Sequence, residues 1–206
     1  KLFNRGKSKV ISMSLSKYAA VLSGGYAADA AYWFDQNSGQ WMTSTYYTST
    51  LPKWVVEVND KKMPDTYLER TWEPMLPLEK YNEVLSDSSK YEFGIDGMYK
   101  TFPYNYSDIV KTVRNYKLLT MIPEGNTLLN DLAVAAMYGE DLGKDEFTDF
   151  LCVNYSVPEE VGKLYGPQSI EVQDLFLRLD KDLEHLIDVV EDLVGKNNCL
   201  IYLTSN

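Results

Sequence analysis

The amino-acid sequence predicts an α/β domain, a mostly parallel sheet flanked by helices, with a loop-rich insert. Three observations carry this expectation. An apolar run at Asp149 to Asn154, a long amphipathic stretch after Ser169 and a second apolar run at Cys199 to Thr204 follow one another as strand, helix and strand. A helix between two buried strands implies a parallel pair joined by a right-handed crossover. With 206 residues and 45% apolar content the chain can bury one substantial core. Between its two ends Pro64, Pro74, Pro77, Pro103 and Pro123, with Gly94 and Gly97, break the chain into short pieces, the look of an inserted or cap-like region.

Taken in order, Lys9 to Leu22 (KVISMSLSKYAAVL) reads as two short buried strands around a polar break at Ser16 and Lys17. Ala31 to Asp35 and Gln40 to Thr45 are β-prone runs separated by Gln36-Asn37-Ser38-Gly39, a hairpin signal. Tyr32, Trp33, Phe34 and Trp41 are expected to pack in the core. Pro52 opens a short helix, because a first-turn residue needs no intrahelical N–H bond. Asn126 is placed to cap a helix carrying Leu128, Leu129, Leu132, Ala133, Ala136 and Met137. After the 149–154 strand, VPEEVGKLYGPQS reads as a loop. Ser169 then caps the long helix, whose apolar positions from Val172 to Val194 recur at three and four, and Gly195 ends it. Residues 1–206 thus read as a single domain or a large part of one, with about 60–120 as the insert.

Composition narrows the chemistry. Thirty acidic against twenty basic residues give a net charge of −10, which disfavours nucleic acid as a partner. No run reaches the roughly 18 apolar residues of a membrane span, and the first residues lack the apolar core of a signal peptide. Cys152 and Cys199 lie in apolar runs, where free thiols act as small hydrophobes. A single histidine, His185, leaves little imidazole for zinc or triad chemistry, and its polar neighbours Lys181, Asp188 and Asp192 place it on a helix surface. Glu140 and Asp141, near a helix end, are expected to face solvent. No spacing singles out a pair among Asp29, Asp35, Asp96, Asp108 and Asp131 for acid–base work.

The stretch DFLCVNYSVPEEVGKLYGPQSIEVQDLFLRLDKDL followed by CLIYLTSN resembles the bacterial zinc alkaline phosphatases related to the type I phosphodiesterases and nucleotide pyrophosphatases. Gly166-Pro167-x-Ser169-Ile170-Glu171-Val172 and Arg178-Leu179-Asp180-x-Asp182-Leu183 carry the match. Upstream, KVISMSLSKYAAVLSGGYAADAAYWFDQNSGQWMTSTYY and PEGNTLLNDLAVAAMYGEDLG extend it. The resemblance implies that residues 1–206 are one partial alkaline-phosphatase-like domain, with an envelope or periplasmic location, and that the family's site holds two zinc ions about 4 Å apart.

Carried over residue by residue, the resemblance also implies lost chemistry. The family's metal-binding Asp and His of the strand-to-helix loop fall on Glu159 and Lys163, and its closing Asp-His pair would begin at Asn206. Glutamate can still ligate after a backbone shift, but an ammonium cannot bind zinc while protonated, and an amide oxygen is a poor ligand beside a carboxylate. The basic clamp for phosphate falls near Ser16 and Tyr18, with Lys17 between them as the one remaining charge. The threonine nucleophile and the first metal-binding aspartate lie before the region that Lys1 begins. No catalytic residue and no bound cofactor is therefore expected in this chain, and Lys163 with Glu159 and Glu160 reads as a solvated charge cluster. The expected function is that of a diverged member, using its pocket for a phosphorylated small molecule or another protein. Two rivals stand beside it: an active phosphatase or phosphodiesterase whose nucleophile and ligands come from outside this segment, and a truncated fragment with no function of its own.

Overall fold

The computed structural model describes residues 4–205. Its centre is a four-stranded sheet of β1 (Val10–Ser14), β2 (Ala30–Asp35), β3 (Gln40–Met42) and β6 (Phe150–Asn154), ordered β3-β2-β1-β6. β1 runs parallel to both β2 and β6, with Ser14 opposite Asn154, and β2 and β3 form the expected antiparallel hairpin. The mostly parallel sheet flanked by helices is the architecture read from the sequence.

The period-2 alternation of the strands sorts their side chains onto two faces. Ile11, Met13, Tyr32 and Phe34 enter the main core with Leu128, Leu129, Leu132 and Ala136 of helix α5 (Glu124–Gly139). Ser12, Ala31 and Trp33 face the other way, where helix α1 (Lys17–Gly24) lies. Small residues let α1 come close: the Ser12 hydroxyl donates to the Ala20 carbonyl at 2.6 Å, and a Cβ on Gly24 would sit 2.5 Å from the same hydroxyl.

Residues 17–24 therefore form a helix where a second short strand was expected. Ser16 is the reason: its side chain accepts from the Ala19 N–H, so the polar break caps a helix rather than separating two strands. A short apolar run cannot be assigned by periodicity alone. A second correction concerns the supposed loop after β6, of which residues 157–165 are helix α6 (Val157–Tyr165). Pro158 is harmless in a first turn, and Val157, Val161 and Tyr165 bury one face at spacings of four. Glu159 and Glu160 in the first turn and Lys163 in the last also suit the helix dipole.

α5 begins one turn earlier than Asn126 suggests, with Pro123 as its N-cap, so Asn126 is a buried residue within the first turn. There the chain packs tightly: a Cβ on Gly125 would meet the Leu119 carbonyl oxygen at 2.0 Å and Leu15 at 2.9 Å. Helix α2 (Lys53–Asp60) follows Pro52 as expected. The insert comprises helix α3 (Met63–Leu68), a two-stranded ribbon of β4 (Thr71–Trp72) and β5 (Tyr104–Asn105), helix α4 (Tyr106–Ile109) and two short 3-10 helices.

The long helix α7 (Ile170–Val194) starts and stops at the expected residues, Ser169 and Gly195. The Ser169 hydroxyl accepts from the Val172 N–H at 3.2 Å. Ser169→Ala removes this cap and should lower unfolding free energy by about 1 kcal/mol; urea denaturation measures it, and an unchanged midpoint would contradict the capping role.

The strand expected at Cys199 to Thr204 is absent. Residues 200–205 join no ladder, and Leu200, Tyr202 and Leu203 are exposed. β-propensity becomes a strand only beside a partner edge, and this run has not docked on β6. β6 itself is only partly buried, with Phe150 exposed, so Cys152 and Cys199 are half-buried rather than core thiols.

Candidate functional site

In a parallel α/β sheet the loops at the carboxyl edge are where ligands bind. β1 and β6 are neighbours in register, so the stretches that follow them, Leu15 to Tyr18 and Tyr155 to Lys163, leave the sheet at the same edge. The topology thus brings together two of the three segments singled out in the sequence. The third, Asn206, lies outside the described residues.

Side by side, these positions are poorly furnished for metal or phosphate. Ser16 is occupied as a helix cap, and its own N–H donates to the Ser14 hydroxyl at 3.1 Å. Lys17 lies over the Trp33 ring, its ammonium 5.3 Å from the centroid. Tyr18 is 78% exposed and points an apolar ring, not a cation, at solvent. Ser14 and Asn154, the last residues of the paired strands, approach each other at 3.4 Å through hydroxyl and carboxamide oxygen.

Glu159 and Lys163 stand one turn apart on the outer face of α6, not in a loop. The Lys163 ammonium is 2.7 Å from Glu159 and 2.9 Å from Glu160, and all three side chains are largely solvated. The bond to Glu159, then that to Glu160, raises the lysine pKa above its ordinary value. Such a group stays protonated and offers no lone pair to a divalent cation. Among the described residues no group of three or more His, Cys, Asp or Glu is arranged to hold a metal ion. His185 is exposed on α7. Glu140, expected to face solvent, is instead half-buried and accepts from the Trp54 indole N–H at 2.7 Å. Two hollows are lined by other residues: an open one of about 510 Å³ lined by Asp65, Glu69 and Tyr116, the last bonded to the turn that follows β2, and one of about 170 Å³ at the amino edge lined by Lys9, Tyr32 and Glu140.

Sequence reading missed a set of buried carboxylates. Glu124, Glu171 and Asp174 are all buried. The insert's tyrosines supply their donors: Tyr106 to Glu124 at 2.5 Å, Tyr104 to Glu171 at 2.5 Å and Tyr81 to Asp174 at 2.6 Å. Tyr67 does the same for Asp131 at 2.6 Å. Burial pushes Glu171 up to about 7 and Asp182 up to about 6. It also raises Glu124 and Asp131 above the usual carboxylate range. The available signal was positional: Glu171 lies four residues before buried Leu175 and Asp174 immediately before it, on the inward side of α7.

The chain was compared with known proteins. Residues 8–206 match the family model described as Type I phosphodiesterase / nucleotide pyrophosphatase. It is 40% identical over 200 residues to alkaline phosphatase PafA of Elizabethkingia meningoseptica, covering 97% of this chain and 36% of that protein. It is 38% identical over 201 residues to alkaline phosphatase PhoV of Synechococcus elongatus, again covering 97% of this chain and 36% of the relative. The crystal structure of wild-type PafA superposes with a TM-score of 0.90 at 38% identity, over 96% of this chain and 38% of that one. The chain therefore spans little more than a third of the length of the relatives it matches.

Proposed function

We propose, from the premise that this chain belongs to the type I phosphodiesterase / nucleotide pyrophosphatase family within the alkaline phosphatase superfamily, that it keeps the family's fold while its own positions no longer hold a zinc pair. In this chain the catalytic edge has become a binding surface for a phosphorylated small molecule or for another protein, in the cell envelope. One observation carries the reading: the ammonium of Lys163, tied to Glu159 and Glu160, stands where the resemblance requires imidazole. An ammonium repels a divalent cation, and Ser16 and Tyr18 supply no guanidinium fork for the substrate.

The test is metal content and turnover of the purified protein after equilibration with zinc. We expect fewer than two zinc equivalents by elemental analysis and no hydrolysis of p-nitrophenyl phosphate above the blank. Two bound equivalents with turnover would overturn the reading.

A second reading is favoured by the short span of the match, 36% of each relative. In it the nucleophile and remaining ligands belong to the other parts of a longer protein, which is an active phosphatase or phosphodiesterase using Glu159 as a ligand. Glu159→Ala separates the two, since it abolishes zinc-dependent hydrolysis only under the second.

A further inference from the structure

The buried carboxyl of Glu171 has no part in the reading above, yet it lies under a long irregular segment of the insert. That segment is held to the junction of α6 and α7 by backbone bonds. Leu85 N–H donates to the Gln168 carbonyl at 2.8 Å, and the N–H groups of Phe93 and Gly94 donate to the Leu164 carbonyl at 2.8 and 3.1 Å. The Tyr165 hydroxyl adds a bond to the Tyr99 carbonyl at 3.1 Å. Beneath these contacts Glu171 is 0% exposed, one oxygen bound by the Tyr104 hydroxyl and the other without a hydrogen-bond partner.

The titratable groups around it come from three elements. Tyr104 of β5 and Tyr165 of α6 are both buried, their ring centroids 5.7 Å apart. The segment contributes Glu92, itself buried, and Asp87, whose carboxylate accepts from the Phe102 N–H at 3.3 Å. Lys100 donates to the Glu92 carbonyl at 2.7 Å, and among the described residues no cation forms an ion pair with Glu171. An ionised Glu171 would thus be a buried charge facing two further acids with no cation bound to it, whereas the neutral acid fits.

We propose that Glu171 is the trigger of a pH-gated clasp: while its carboxyl is protonated the segment 85–104 stays docked on the α6–α7 junction, and ionisation releases the segment and uncovers the turn 164–168. Burial raises the carboxyl to about 7, with Glu92 and Asp87 adding to the rise and the Tyr104 bond and a backbone amide opposing it. The transition therefore falls near neutrality, within reach of ordinary changes in environmental pH.

Hydrogen exchange of the purified protein, corrected for intrinsic rates and followed from pH 5 to 8.5, tests the clasp. Peptides from 85–104 should keep their protection below pH 6 and lose about tenfold per pH unit above the midpoint, while β1 and α5 keep theirs. Glu171→Gln should flatten the profile. Tyr104→Phe removes a donor that favours the ionised form and should move the midpoint upward, which keeps a test available if Glu171→Gln does not fold. A flat wild-type profile, a drop that persists in Glu171→Gln, or a midpoint unmoved or lowered in Tyr104→Phe overturns the proposal.

Discussion

Asp174→Ala should lower the unfolding free energy by about 3–5 kcal/mol, the range found when one partner of a buried charge pair is removed. The side chain is 0% exposed and gathers four donors. Trp72 Nε1 and Tyr81 Oη lie at 2.6 Å, the Met75 backbone N–H at 2.6 Å, and Arg178 Nε at 2.7 Å. Three of these come from the insert and the fourth from the next turn of α7. Removing the carboxylate orphans an indole and a backbone N–H in the interior and leaves Arg178, 30% exposed, without its partner. Asp174→Asn retains shape but gives up the charge and one acceptor, so a smaller loss is expected. Urea denaturation with tryptophan fluorescence reads both; a loss below about 1 kcal/mol for the alanine variant would show that the insert is held elsewhere.

Stability should fall, not rise, as pH increases from weakly acidic to neutral. Glu171 has a folded-state pKa of about 7 against an ordinary value of 4.5, so between these limits the unfolded chain ionises while the folded one keeps its proton. The folded state binds more protons there, and unfolding becomes easier with rising pH. The stabilisation is complete below about pH 4.5 and gone above about pH 7. At about 1.4 kcal/mol per unit, the effect is about 3 kcal/mol. Asp182, raised by burial from 3.8 to about 6, acts in the same direction over a lower window. Unfolding free energies measured at pH 5 and pH 7.5 should therefore favour the acidic condition, and Glu171→Gln should remove most of the difference. Equal stability at the two pH values would mean that Glu171 is already ionised in the folded protein.

The tyrosines show why the site was only half legible. Sixteen tyrosines in 206 residues suit a binding surface and a packed core equally well. In the structure some, such as Tyr18 and Tyr26, are exposed, while four buried ones place phenol hydroxyls on carboxylates of α5 and α7. No local pattern announces such bonds, because Tyr104 and Glu171 are separated by 67 positions along the chain. The family resemblance, by contrast, was legible from short contiguous motifs, and it correctly anticipated the fold. Boundaries failed at Ser16, where a capping side chain starts a helix, and at the start of α5, where Pro123 precedes the helix with no side-chain cap.

By itself the sequence determined the α/β class, the β2–β3 hairpin, the limits of α7 and the family, since each rests on periodicity, turn residues or motifs read within one stretch of chain. Only the tertiary structure decided that 17–24 and 157–165 are helices, that 199–204 stays off the sheet, and that Glu171 and Asp174 are buried under the insert. Those outcomes depend on burial and on partners distant in sequence, and the free energy of a buried charge or an unpaired strand edge exists only once its neighbours are in place.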